Sequence, residues 1–305
     1  MELISFDEQP VQGITLDALE SSVHENYANG NPCGGAYHFE VIAQVMNMLG
    51  GINAQPEIAD LFVASNRDKY RPGVTLDRER EARFGDKDPR SYIFRRVYCN
   101  ITLQPYDQSG ETSAVAISYS QRGISIAVGA HAHYCRNLTL LGVGRVFSNF
   151  AAGMNAFDVN LTKNYEDMME TLQVFFAENA DIHHLIMNDV ADFKAEMFTD
   201  DDFKEVLNAL MCHRICHDTA DKAIRVTEAY PLNSNQINNA VERYLISRKD
   251  CGKSHREMTW WDAFQLFNFD LKPKRCDLAT IIPQSASLGY TMQRLLADKR
   301  MYDGE

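Results

Sequence analysis

Ser113-Ala-Val-Ala-Ile-Ser-Tyr-Ser-Gln-Arg-Gly-Ile-Ser-Ile-Ala-Val128 carries two alternating runs separated by a turn signal. Successive side chains of a strand point to opposite sides. Val115, Ile117 and Tyr119 therefore share one face of the first run, and Ile124, Ile126 and Val128 share one face of the second. Ser120-Gln-Arg-Gly123 between them suits a hairpin loop. Upstream, Tyr92 to Leu103 is rich in β-branched and aromatic residues and reads as another strand. Downstream, His131 to Leu141 reads as a further strand that ends in Gly142-Val-Gly144. Together these runs predict an antiparallel sheet.

The texture changes on either side of this block. Residues 1–35 read as extended and loop-rich, with turn residues dense in Asn29-Gly-Asn-Pro-Cys-Gly-Gly35. Phe39, Ile42, Val45, Met46 and Leu49 recur at helical spacing, so a helix is expected over 36–49, stopped by Gly50-Gly51. Residues 66–90 are polar and carry Pro72-Gly73 and Pro89, which suits a long exposed excursion. Beyond residue 160 the pattern predicts helices at 164–179, 181–197, 201–217, 220–229, 234–248, 258–269 and 286–300. Asn233 or Ser234 is placed to cap the fifth of these. Strands first and helices second give an α+β fold: an antiparallel sheet-bearing N-terminal part and a mostly helical C-terminal part. The expected divisions are an α+β domain at 1–160, a helical region at 161–250 and a helical C-terminal arm at 251–305.

Composition narrows the class of partner. The chain has 305 residues, 45% hydrophobic and 24% charged, which suits a folded protein with a sizeable core. No apolar run approaches the roughly 20 residues of a membrane span. The start, MELISFDEQP, lacks the basic-then-apolar layout of a signal peptide, so an intracellular protein is expected. The net charge of −12 excludes an overall basic footprint for nucleic acid. Residues 1–66 hold nine acids and no Lys or Arg, and residues 157–205 hold thirteen acids against three basic residues. Such blocks keep a protein soluble, steer a basic partner, or imitate the phosphates of DNA when aligned on one surface. Seven cysteines, at 33, 99, 135, 212, 216, 251 and 276, are odd in number and irregular in spacing, so free thiols are expected. An intermolecular disulfide through Cys251 or Cys276 stays open.

Few motifs carry chemistry. In Met211-Cys-His-Arg-Ile-Cys-His217, read as helix, Cys212 pairs with Cys216 and His213 with His217 at i, i+4. The two pairs point about 100° apart, so one ion cannot easily take all four. His131, His133 and Cys135 share a strand face, where hydrogen-bonded core histidines are expected in preference to metal ligands. His183-His184 is expected at the surface. Asp200-Asp-Asp202 suits a helix cap. Gly142-Val-Gly144 and Cys251-Gly-Lys-Ser254 lack the remaining residues of a phosphate-binding loop, and no Gly-x-Ser-x-Gly elbow is present. No catalytic set, metal site or cofactor is therefore expected, and the chain does not read as an enzyme. The basic stretch Arg67–Arg96, with Tyr70, Phe84 and Tyr92, offers a nucleic-acid contact, but its six acids favour a self-paired, solvated loop. Both tryptophans lie in Met258-Thr-Trp-Trp-Asp-Ala-Phe-Gln-Leu-Phe-Asn-Phe269. Core packing suits this helix, and so does an interface anchor.

Two segments resemble a group of phage- and plasmid-borne proteins of unknown biochemical function. They are Tyr119-Ser-Gln-Arg-Gly-Ile-Ser-Ile-Ala-Val-Gly129 leading into Tyr134-Cys-Arg-Asn137, and Thr259-Trp-Trp-Asp-Ala-Phe-Gln-Leu-Phe-Asn268. Length, acidity and the order of a sheet-bearing front and helical rear resemble the phage anti-Gabija defence inhibitor family. That resemblance implies a non-enzymatic, phage-encoded protein of the host cytoplasm. It would bind the host defence nuclease complex as a homo-oligomer and block DNA recognition and cleavage. The helical rear would join protomers, with Trp260, Trp261 and Phe264 as the expected partner or self-association residues. The alternative is a single-stranded nucleic-acid-binding or annealing protein of a phage or plasmid, using Arg67–Arg96. A metal-dependent enzyme built on Cys212/Cys216 or His131/His133 is a third reading.

Overall fold

A computed structural model describes residues 12–20, 36–52, 54–64, 96–120, 123–133, 138–139, 145–149, 159–212, 215–218, 223–226, 232–249, 258–272, 278 and 280–303. The sequence's decisive stretch forms β4 (Glu111–Ser120) and β5 (Gly123–Ala132), paired antiparallel from Glu111↔Ala132 to Ser120↔Gly123. The loop between them is therefore two residues, shorter than the four-residue loop expected. Around this hairpin lie β1 (Gln12–Gly13), β2 (Glu57–Ala64), β3 (Arg96–Thr102), β6 (Leu138–Thr139), β7 (Val146–Ser148) and β8 (Val159–Leu161). The sheet order is β1-β2-β3-β4-β5-β7-β8, with β6 also on β5. Every pairing is antiparallel except β7 with β8. The expected strand 131–141 is thus divided between the end of β5 and the short β6.

The fold is α+β, as the order of elements predicts. Helices are α1 (His38–Gly50), α2 (Tyr165–Glu178), α3 (Ile182–Ala195), α4 (Asp200–Cys212), α5 (Ser234–Lys249), α6 (Trp260–Asn268) and α7 (Ile281–Asp303). Two expected helices are corrected. The one at 201–217 ends at Cys212, and Ile215–Asp218 (β9) pairs antiparallel with Ala223–Val226 (β10), inside the stretch expected as helix 220–229. The Ile, Val and β-branched neighbours of 223–226 suit a strand, and two short strands satisfy each other's backbone where a lone helical turn would not. The last helix begins five residues earlier than the expected 286, because Pro283 lies in its first turn, where amides have no intrahelical acceptor to lose.

Both faces of the sheet are covered. Leu61, Val97, Ile101, Val115, Ile117, Ile126 and Phe147 join one core with Val41 and Val45 of α1, Leu172 of α2, Ile186 of α3 and Phe264 of α6. Phe62, Tyr98, Ala114, Ala116 and Ala127 on the other face pack under Leu278, Ile281 and Ile282. Ser118 Oγ donates to the Leu278 carbonyl at 2.5 Å and fixes that approach. Farther along α7, Leu288, Met292 and Leu296 rejoin the first core, and α7 packs on α4 and α6. A single core therefore crosses both residue 160 and residue 250. These positions mark changes of layer, and α6 and α7 are built into the same packed body as the sheet.

Candidate functional site

The densest group of ionisable side chains gathers at the β3–β4 connection. Asp107 organises the turn. Its Oδ1 accepts from the backbone N–H of Ser109 and of Glu111, each at 2.9 Å, and from Ser109 Oγ at 2.8 Å. The Gly110 N–H donates to the Asp107 carbonyl at 3.0 Å. Gly110 has φ +80°, a left-handed conformation that a Cβ disfavours. Partial burial pushes the Asp107 carboxyl up, but the Glu111 N–H, the Ser109 donors and the Lys194 charge outweigh it and hold the group below its ordinary value.

On the first sheet face the turn is clamped to the helices. Glu111 is 2% exposed. Its Oε1 accepts from Trp261 Nε1 at 2.6 Å, and its Oε2 lies 2.9 Å from Ser109 Oγ, whose single proton it shares with Asp107, and pairs with Lys194 Nζ of α3. A buried carboxylate is costly unless charge and hydrogen bonds compensate it, and here all three partners converge. Ser113 Oγ lies 2.8 Å from His183 Nδ1. Burial, then the neighbouring His184, lowers the His183 pKa; Asp181 and Asp107 oppose them without reversing the shift.

On the second face the turn meets β5 and β2. The Tyr106 hydroxyl lies 3.0 Å from His131 Nδ1, and the Tyr106 ring meets the His133 ring edge-on at 5.2 Å. His131 Nε2 is 3.5 Å from Asp60 Oδ2. Asn100, directly opposite Asp60 in the β2–β3 ladder, is fully buried, and its amide N and O have no hydrogen-bond partner among the described residues.

The expected interface residues take a different place. Trp260, Trp261 and Phe264 are 1%, 3% and 0% exposed. Trp260 packs edge-on against Phe198 and Phe193, and Phe264 against Phe193. Thr259 and Asp262 cap the helix reciprocally. The aromatic helix is a core element that presents none of these three side chains on the surface of the chain. Its apolar spacing was compatible with either role; burial by α3 and the sheet decides it.

The other motifs are distributed as follows. His131 is buried and hydrogen-bonded, as expected of a core histidine; His133 is exposed, and Cys135 lies outside the described residues. His184 is exposed and His183 half-buried. Cys212 ends α4 whereas Cys216 and His217 lie on β9, so the i, i+4 helical geometry is absent; His213 lies outside the described residues. Among the described residues, no group of three or more His, Cys, Asp or Glu side chains could hold a metal ion. Asp202 accepts from the Thr199 N–H at 2.6 Å and returns its own N–H to Thr199 Oγ1, capping α4 as expected. Residues 29–35, 67–95 and 142–144, the Cys251-Gly-Lys-Ser254 segment, Cys33 and Cys276 lie outside the described residues.

Among the described residues, five of the thirteen acids of the second block form ion pairs within the chain. Asp189 binds Arg145, Asp192 and Glu196 bind Arg300, Asp201 binds Lys204 and Asp202 binds Lys299. Among the described residues, no helix is long and apolar enough to cross a membrane. No family model matches the chain, no curated protein matches it, and no solved structure matches its fold. The Tyr106–His131–Asp60 chain carried no sequence signal beyond the His-x-His spacing. Its members lie on separate elements and meet only in the folded sheet.

Proposed function

We propose that this chain acts by binding a protein partner, as a phage-encoded anti-defence inhibitor of a host nuclease complex of the Gabija type. One observation carries the binding role. Every exposed large apolar side chain among the described residues lies beyond residue 160, on the helical part. Leu245 and Ile246 are neighbours on α5, and Met301 and Tyr302 are neighbours at the end of α7. Lys299 Nζ donates to the Met197 carbonyl and Arg300 binds Glu196, which brings the end of α7 beside Met197, also exposed. Adjacent exposed apolar side chains with charged neighbours suit a contact surface. The identity of the partner and the host-cytoplasmic setting rest on the resemblance of length, acidity and element order. The aromatic helix supports the reading only indirectly, by holding the helical layer in place.

The test is mass in solution, by light scattering on a sizing column, with and without the purified Gabija complex. Direct binding gives one larger, stable assembly that contains both proteins and loses DNA cleavage. Separate peaks at micromolar concentrations with cleavage intact would reject this function.

A further inference from the structure

The polar chain on the second sheet face ends in a hydroxyl that the binding role does not use. Asp60, His131 and Tyr106 come from β2, β5 and the β3–β4 connection. The register of β2 shifts between Ile58 and Asp60, an irregularity of the kind that re-aims a side chain. β3 and β4 separate β2 from β5, and Asp60 reaches His131 across the face on which β3 carries Asn100 and Thr102 and β4 carries Thr112, Ala114 and Ala116. His131 is 1% exposed and Asp60 10%. Asp60 Oδ2 faces Nε2 at 3.5 Å without a hydrogen bond, and its charge favours the neutral tautomer with the proton on Nε2. That leaves the Nδ1 lone pair for the Tyr106 O–H, 3.0 Å away. Tyr106 is the half-buried end of the chain, beside the exposed His133.

We propose that Tyr106 is a nucleophile, with His131 as its base and Asp60 as the group that positions and charges the base, directed at an acyl or phosphoryl centre bearing a good leaving group. The order carboxylate, imidazole, hydroxyl is that of an activated nucleophile. In the step, the Tyr106 proton passes to His131 Nδ1 as the phenolic oxygen bonds to the electrophilic centre. The leaving group departs with its bonding electron pair, and the imidazolium returns its proton to solvent or to that group. Asp60 stabilises the imidazolium while it exists.

The probe is an aryl sulfonyl fluoride, which a nucleophilic phenol captures as a stable sulfonate ester with loss of fluoride. Labelled sites are mapped by mass spectrometry across the chain's 13 tyrosines. Tyr106 is expected to label fastest near neutral pH. His131→Gln should slow Tyr106 labelling about 100-fold, the lower end of what a positioned general base contributes. Asp60→Asn should slow it by a smaller factor. A measurement on the unaltered chain covers the case in which a variant fails to fold. Labelling of Tyr106 through a neighbouring base rises less steeply with pH than labelling of an unassisted phenol, which gains about tenfold per pH unit up to about pH 10. Labelling of Tyr106 no faster than of the other tyrosines, or a Tyr106 rate that climbs with pH as theirs do, overturns the proposal. Neither result bears on partner binding, which the mass measurement decides separately.

Discussion

The two faces of the sheet are both buried, yet they are built by different rules. The first face presents Val97, Ile101, Val115, Ile117, Ile124 and Ile126 to four helices, and its polar side chains, Glu111 and Ser113, are each matched by a partner. The second presents Ala114, Ala116 and Ala127 to the start of α7, and among the described residues its strands keep polar atoms without hydrogen bonds, both amide atoms of Asn100 and His131 Nε2, whereas on the first side such atoms, Trp260 Nε1 and Gln265 Oε1, belong to the covering helix. Large side chains hold helices at a distance and gain by area, at roughly 25 cal/mol per Å². Small ones let a helix come close but supply little area, and polar groups trapped there subtract from it. The first face carries the stability, and the second is free to hold reactive groups.

The largest effect should follow from cutting into the first face. Phe264 is fully buried between Phe193 and Trp261. Phe264→Ala should cost about 3–5 kcal/mol, from lost burial plus the cavity left behind. Urea titration of the purified chain, followed by circular dichroism, reads this as a lower midpoint with an unchanged slope. A cost below about 1 kcal/mol would mean that α6 is not the core element its burial implies.

The second face should respond in the opposite direction. Asn100 is fully buried with neither amide atom bonded among the described residues, and an unpaired buried polar group costs about 1–3 kcal/mol. Asn100→Val is close in volume and suits a strand. It should therefore raise stability by about 1 kcal/mol, read in the same titration. A loss of that size would show that internal water satisfies the amide, and the two faces would then differ in hydration and not in unpaired polarity.

This contrast also explains what was legible in the sequence. Val115, Ile117 and Tyr119 announce the first face by alternation, and the hairpin and its pairing follow from it. The same alternation suggests that Ala114, Ala116, Ser118 and Ser125 face water. Instead they form the floor beneath α7, and every residue of β4 and β5 is buried. Small residues at alternate positions fit a solvated face and a close helix contact equally well, and only the partner decides. β2 was missed because Glu57-Ile-Ala-Asp-Leu61 opens with a shifted register, which breaks the period that would have revealed it. Trp260, Trp261 and Phe264 show the converse limit: helical spacing identifies an apolar face, and it does not say whether that face meets this chain or another. Tyr106, His131 and Asp60 span 71 positions of sequence, so their meeting is a product of sheet order, which no local pattern records.

The smallest expected effect sharpens the comparison through the first face's own histidine. His183 is half-buried on α3 with Nδ1 at 2.8 Å from Ser113 Oγ, and burial lowers its pKa below the ordinary histidine value. The unfolded chain therefore takes up this proton more readily than the folded one. Stability from His183 is complete above the unfolded value of about 6.5, falls as pH drops through it, and levels off below the folded pKa. Asn at this position can still bond Ser113 without titrating. Urea midpoints of the unaltered chain and of His183→Asn, taken at pH 7.5 and pH 5.5, isolate the contribution, because the other eight histidines are common to both. The unaltered chain should lose more stability between the two pH values than the variant does. Equal losses would mean that His183 is as easily protonated folded as unfolded, and that its contact with Ser113 survives the charge by using the hydroxyl as acceptor.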